Sequence, residues 1–144
     1  MANTGHDWGA WASVQVAAGD WAADTCVDDA ELVSDAITVD IKSAILIGVI
    51  INTPDAAVVA NSVTIAVLGT PDDTTYEDSP GLASAQVGNP MRFKMTPVQN
   101  DIVYMQFSID PRDYHLFKIS IRNESGQTLT TTVNYKQANV PVAS

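Results

Sequence analysis

The chain has 144 residues, 46% of them hydrophobic and 17% charged, which is enough for one domain to bury a core. A net charge of −10 and a pI near 4.2 argue against direct nucleic-acid binding, because phosphates would repel the protein. The single cysteine, Cys26, rules out an internal disulfide framework. No signal peptide is apparent, and the longest apolar run, Ala44–Ile51, is far shorter than the ~20 residues of a membrane helix. We therefore expect a cytoplasmically made protein that is not attached to a membrane.

The N-terminal segment carries all three tryptophans, Trp8, Trp11 and Trp21. Each large aromatic side chain stabilises a structure by a few kcal/mol when it is buried, and tryptophan is a frequent hot-spot residue of interfaces. We predict an extended arm over residues 1–24 and a single domain over residues 25–144. The tryptophans either cover a face of the protein's own sheet or anchor the arm in a neighbouring subunit.

Three strands are predicted next along the chain: two short ones at Ser13–Ala17 and Ala36–Ile41, and a long one at Lys42–Thr53. The long strand is apolar on both faces and therefore needs two covers. One cover is the core, and the other is the tryptophan-bearing segment or another subunit. We assign one apolar face of this strand, together with the three tryptophans, to a contact surface with other proteins; that face comprises Ile45, Ile47, Val49 and Ile51.

The rest of the chain alternates apolar and polar residues with period two, which is typical of half-buried antiparallel strands. The last two alternating segments are predicted to form a hairpin, with Gly126 supplying a positive φ in the connecting loop. About eight strands without a helix predict an all-β fold, an antiparallel β-sandwich of jelly-roll or immunoglobulin-like type. The alternating segments are Ser62–Leu68, Met91–Thr96, Asp101–Ile109, Leu116–Arg122 and Leu129–Lys136.

Catalysis finds little support in the residue types. The two histidines, His6 and His115, occur without a nucleophile motif, and acidic neighbours of Cys26 disfavour its reactive thiolate. We therefore predict a protein that is not an enzyme and needs no cofactor.

Two acidic clusters and four tyrosines are the remaining candidate ligand sites. The clusters lie within residues 24–31 and 72–78, and lack the spacing of an EF-hand, so solvated carboxylates are favoured over a calcium site. No metal is predicted. Exposed aromatic residues on a β-sandwich also allow a carbohydrate-binding platform, to which the tyrosines would contribute: Tyr76, Tyr104, Tyr114 and Tyr135.

The two ends of the chain resemble small structural proteins of tailed bacteriophages. The similarity lies in the opening Asn3–Trp11, in Phe117–Gly126, and in the ending Asn139–Ser144 after a threonine-rich strand. The resemblance implies a β-sandwich protein of the virus particle, made in the cytoplasm of the bacterial host.

The resemblance further implies a capsid decoration or cement protein that docks on capsomers. Its partners would be the major capsid protein or other virion proteins, and it would form a homo-oligomer, with a trimer favoured. One alternative places the same domain in the tail, as a tube, baseplate or fibre component. Another alternative, of a different class, is a carbohydrate-binding module.

Overall fold

The computed structural model describes residues 7–14, 25–39, 42–53, 58, 62–70, 72–76, 91–97, 99, 101–111 and 115–139. These residues form strands and no helix, so none of them belongs to a helix able to cross a membrane. The strands build two antiparallel sheets that pack face to face. The predicted all-β antiparallel sandwich is confirmed.

The described residues contain eleven strands, of which six are long and five have only two or three residues. The short strands are β1 (Asp7–Trp8), β2 (Ala12–Ser13), β3 (Thr25–Cys26), β4 (Glu31–Val33) and β5 (Ile37–Thr38). The long strands are β6 (Lys42–Asn52), β7 (Val63–Leu68), β8 (Met91–Met95), β9 (Ile102–Ile109), β10 (Leu116–Asn123) and β11 (Leu129–Asn139).

The first sheet has the order β1-β11-β6-β9, and β2 and β3 also pair with β11. The second sheet has the order β4-β10-β7-β8, and β5 also pairs with β10. Strands β6 and β7 are therefore central in their sheets. At the far side of the sandwich the rings of Phe93 in β8 and Phe107 in β9 have centroids 4.2 Å apart, which closes the core between the last strands of the two sheets.

The core lies between the sheets and is made by alternate residues of the long strands. Ile45, Ile47, Val49 and Ile51 of β6 are at most 1% exposed, in one cluster with residues of β7 and β10. Each such side chain contributes about 1.5–3 kcal/mol through burial. The structure corrects the prediction that this face forms a contact surface with other proteins. Because both faces of the strand are apolar, its pattern could not tell which one points inward.

The connection between β10 and β11 also differs from the prediction. The hairpin expected there is wrong, because β10 pairs with strands of the second sheet and β11 with strands of the first. Gly126 does adopt the expected positive φ, of 80°. The buried side chain of Asn123 stabilises the loop by which the chain passes from the second sheet to the first. Its Nδ2 donates to the carbonyls of Cys26 (2.9 Å) and Gln127 (2.7 Å).

The described part of the predicted N-terminal arm belongs to the first sheet. Strands β1 and β2 pair with β11, and Val14 is buried in the core. The predicted boundary near residue 24 lies outside the described residues and stays a prediction.

Candidate binding groove on the first sheet

The outward face of the first sheet is set by the register of three strands. Gly48 of β6 lies between Asn134 of β11 and Gln106 of β9. Two residues further along the strands, on the same face, Ile50 of β6 lies beside Tyr104 of β9. Neighbouring strands are about 4.8 Å apart, so the amide-bearing strands flank a floor roughly 10 Å wide.

Trp11 covers part of this floor. A Cβ placed on Gly48 would lie 3.2 Å from Cη2 and 3.3 Å from Cζ3 of the Trp11 indole, so a side chain at this position would push the ring away from the strand. The position of Trp11, immediately before β2, brings its side chain across β11 to β6. The residue is still 43% exposed, and its indole therefore offers surface to a ligand.

Lys136 of β11 makes cation–π contacts with two of the tryptophans. Its ammonium lies 4.7 Å from the ring centroid of Trp11 and 5.1 Å from that of Trp8. Each contact is within the range of cation–π attraction, worth about 0.5–1 kcal/mol at an exposed site. The lysine thereby fixes both rings on the same face of the sheet.

A groove of about 510 Å³ lies between Trp11 and Tyr104. Tyr104 is 70% exposed, although it stands on a regular strand. Within the described part of the chain, the side-chain amides of Gln106 and Asn134 make no hydrogen bond, so their donors and acceptors are available to a ligand. The lining is completed by backbone and apolar groups; its residues are Trp11, Gly48, Val49, Ile50, Tyr104, Met105, Gln106 and Asn134.

The residues predicted to form one contact surface lie in different parts of the structure. Trp8 and Trp11 lie on the outward face of the first sheet, the four β6 residues lie in the core, and Trp21 is outside the described residues. Of the three tyrosines of the predicted platform that the structure describes, Tyr104 alone lines the groove. Tyr76 packs instead against Lys118, with the ammonium 4.6 Å from the ring centroid, Tyr135 packs against the core, and Tyr114 is not described.

Besides the apolar Ile50 and Met105, three groove residues were not predicted from the sequence, namely Gly48, Gln106 and Asn134. Their common signal is the strand register, which brings them into one row across the sheet. A glycine inside a strand that is otherwise apolar was a local sign of close approach by another group. Nothing local in the sequence marks the two amides.

The other candidate sites have structural explanations. Asp72 accepts hydrogen bonds from the backbone N–H groups of Thr75 (2.6 Å) and Thr74 (2.9 Å), which hold the pKa of its carboxyl at about 2. Burial raises the pKa of the Cys26 thiol to about 11, which disfavours the nucleophilic thiolate. Among the described residues, no group of three or more His, Cys, Asp or Glu is placed to hold a metal ion.

His115 is the one described histidine. Its Nε2 lies 2.9 Å from Oδ1 of Asp73, and both side chains are more than half exposed. The pair joins the 72–76 loop to the residue that precedes β10.

Comparison with known proteins gives distant structural similarity only. No family model matches the chain, and no curated protein matches it in sequence. A CBM22-1 xylan-binding domain of Paenibacillus barcinonensis Xyn10C aligns over 99% of this chain and 100% of its own, with 10% identity and a TM-score of 0.45. The carbohydrate-binding module CBM6cm-2 of Cellvibrio mixtus lichenase 5A aligns over 81% and 75%, with 7% identity and a TM-score of 0.38.

An adhesin domain of Lys-gingipain from Porphyromonas gingivalis is similarly distant. It aligns over 88% of this chain and 69% of its own, with 11% identity and a TM-score of 0.42. At these values the similarities do not indicate what this chain binds, which has to be argued from its own groove.

Proposed function

We propose that the protein is a non-catalytic carbohydrate-binding module whose ligand lies in the groove between Trp11 and Tyr104. The observation that supports this most is the combination of two exposed aromatic rings with two amides that have no hydrogen-bond partner in the described structure. The groove is preformed, since regular strands of one sheet carry its floor and one wall.

Sugar chemistry matches this arrangement. A pyranose ring has C–H groups on its faces, which pack on an aromatic ring, and hydroxyl groups around its rim. Each side-chain amide offers both donors and an acceptor, so Gln106 and Asn134 can each bind a pair of hydroxyls. A site with a largely apolar lining and a few convergent polar groups is the usual form of a small-ligand site.

Affinity electrophoresis and calorimetry with a panel of soluble polysaccharides test the proposal. We expect the wild type to bind at least one of them. Trp11→Ala and Tyr104→Ala should each weaken that binding roughly tenfold or more, as expected when an aromatic anchor is lost. Both residues are exposed, so neither variant should alter the fold.

Tyr76→Ala is the matched control. It also removes an aromatic ring that contacts a lysine, but from a loop outside the groove. It should leave binding unchanged. Equal losses in Tyr76→Ala and Tyr104→Ala, or no binding to any polysaccharide, would contradict the proposal.

A structural role in a phage particle is the second candidate function, and the edge of the first sheet favours it. Among the described strands, β9 pairs on one side only, with β6. Its eight residues include neither a charge nor a proline, which are common protections of an edge strand against pairing. Ile102 and Tyr104 are exposed on this strand. Such an edge suits docking on another protein, for example a capsid protein or a second copy of this chain.

Cryo-electron microscopy of phage particles that carry this chain would test the second candidate. Density for the sandwich on the icosahedral lattice would support a decoration protein, and density confined to the tail would support a tail component. Absence of the chain from purified particles would contradict both. Sedimentation analysis of the isolated protein tests the proposed trimer.

A further inference from the structure

The chemistry of the groove lining limits the kind of glycan it can hold. None of the eight described residues that line the groove is Asp, Glu, Lys, Arg or His. A bound carboxylate or sulfate would lose part of its hydration there without gaining an opposite charge, which is unfavourable.

A lysine that contacts one wall of the groove does not change this conclusion. The Lys136 ammonium lies against the Trp8 and Trp11 rings, and Lys136 is not among the lining residues. An anionic ligand would have to draw the ammonium away from the rings that it holds in place.

The net charge of the whole protein also disfavours anionic ligands. With a net charge of −10, the chain repels a polyanion over about a Debye length, roughly 8–10 Å at physiological salt. A neutral polymer approaches without this penalty.

We infer that the groove is selective for uncharged glycan chains and excludes those that carry uronate or sulfate groups. This inference rests on the proposed function and specifies its ligand class. Hydroxyl pairs on a neutral chain satisfy the amides of Gln106 and Asn134, and the aromatic rings pack on its C–H faces.

Matched pairs of polymers test the inference because each pair shares a backbone and differs in charge. The probes are hydroxyethyl and carboxymethyl cellulose, arabinoxylan and glucuronoxylan, and dextran and dextran sulfate. We expect binding to a neutral member at least roughly tenfold tighter than to its charged partner, and unchanged between roughly 0.05 and 0.5 M NaCl.

The possible failures are distinguishable. Binding of a charged member as tightly as its neutral partner, with an affinity that falls as salt rises, would overturn the selectivity and leave the carbohydrate-binding function standing. No binding to any of the polymers would overturn the function, and the inference with it.

A pair of lysine substitutions tests whether the lining itself causes the selectivity. Gln106→Lys places a cation in the groove and should strengthen binding of the charged polymer about tenfold at low salt. Thr130→Lys adds the same charge to an exposed position of β11 outside the lining. It should change the affinity for the charged polymer less than about twofold. Equal effects of the two variants would show that the overall charge, and not the lining, governs selectivity.

Discussion

The indole of Trp11 lies over Gly48, so close that a Cβ on this glycine would be 3.2 Å from Cη2 of the ring. One residue precedes strand β2 and the other is in the middle of β6, so the sandwich fold brings together two positions that are 37 apart in the sequence. The missing side chain of Gly48 leaves space for the ring, which forms a wall of the groove.

Gly48→Val should therefore weaken glycan binding and leave the protein folded. Valine is favoured in strands, but its branched side chain would occupy the space of the Trp11 ring. We expect binding to weaken by roughly tenfold or more in calorimetry, with a changed tryptophan emission spectrum. Ala44→Val on the same face of the same strand, outside the groove lining, is the control and should bind normally. Normal binding by Gly48→Val would mean that Trp11 is not part of the site.

Lys136→Gln should lower both stability and affinity by small amounts. Loss of two cation–π contacts, at about 0.5–1 kcal/mol each, predicts a fall of about 1–2 kcal/mol in the free energy of unfolding. Urea denaturation followed by tryptophan fluorescence measures it. Lys118→Gln removes a similar contact with Tyr76 and should leave glycan binding intact. If both variants bind like the wild type, the lysine has no role in positioning Trp11.

Asn123→Ala should be among the more destabilising single substitutions. The buried amide donates to two carbonyls, and its Oδ1 accepts from the backbone N–H of Ser125 at 3.0 Å. Removing it leaves buried groups without partners, so we expect a loss of about 2–4 kcal/mol in urea denaturation. Asn52→Ala, at an exposed asparagine of β6, should change stability by less than about 0.5 kcal/mol. If both substitutions lower stability by similarly small amounts, the loop between β10 and β11 does not depend on the Asn123 side chain.

Asp72 should contribute to acid sensitivity. Its pKa is lowered from 3.8 to about 2 in the folded protein, so the folded state favours the carboxylate more than the unfolded state does. The stabilisation is fully present above the unfolded value of 3.8 and is lost as the pH falls through about 2. Nuclear magnetic resonance titration of the side-chain carboxyl should give a midpoint well below 3.8. A normal midpoint would mean that the Thr74 and Thr75 hydrogen bonds do not form in solution.

The long strands could be predicted from the sequence because alternation of side chains is a local property. The predicted Asp101–Ile109 and Ser62–Leu68 each differ from the observed strand by one residue at one end. Pairing is not local. The pattern of β10 and β11 is the same whether they form a hairpin or belong to different sheets, and only long-range contacts, such as the pairing of β10 with β7 and of β11 with β6, distinguish the two.

The candidate site was predictable only in part for the same reason. Exposed aromatic residues could be proposed from the sequence, and Trp8, Trp11 and Tyr104 are indeed exposed. The row that joins Asn134, Gly48 and Gln106 depends on the register of three strands, and a shift of one residue would turn these side chains to the other face. The inward and outward faces of β6 could not be told apart, because each is apolar.

The outward face of β6, β9 and β11 should bind a neutral glycan through Trp11 and Tyr104. Titration of the isotopically labelled protein with cellohexaose, xylohexaose and mannohexaose, followed by nuclear magnetic resonance, tests it most directly. At least one oligosaccharide should shift the indole N–H signal of Trp11 and the amide signals of Gly48, Tyr104, Gln106 and Asn134, and leave those of β7 and β10 unchanged. Shifts confined to the second sheet, or no shift with any of the three oligosaccharides, would show that this face does not bind them.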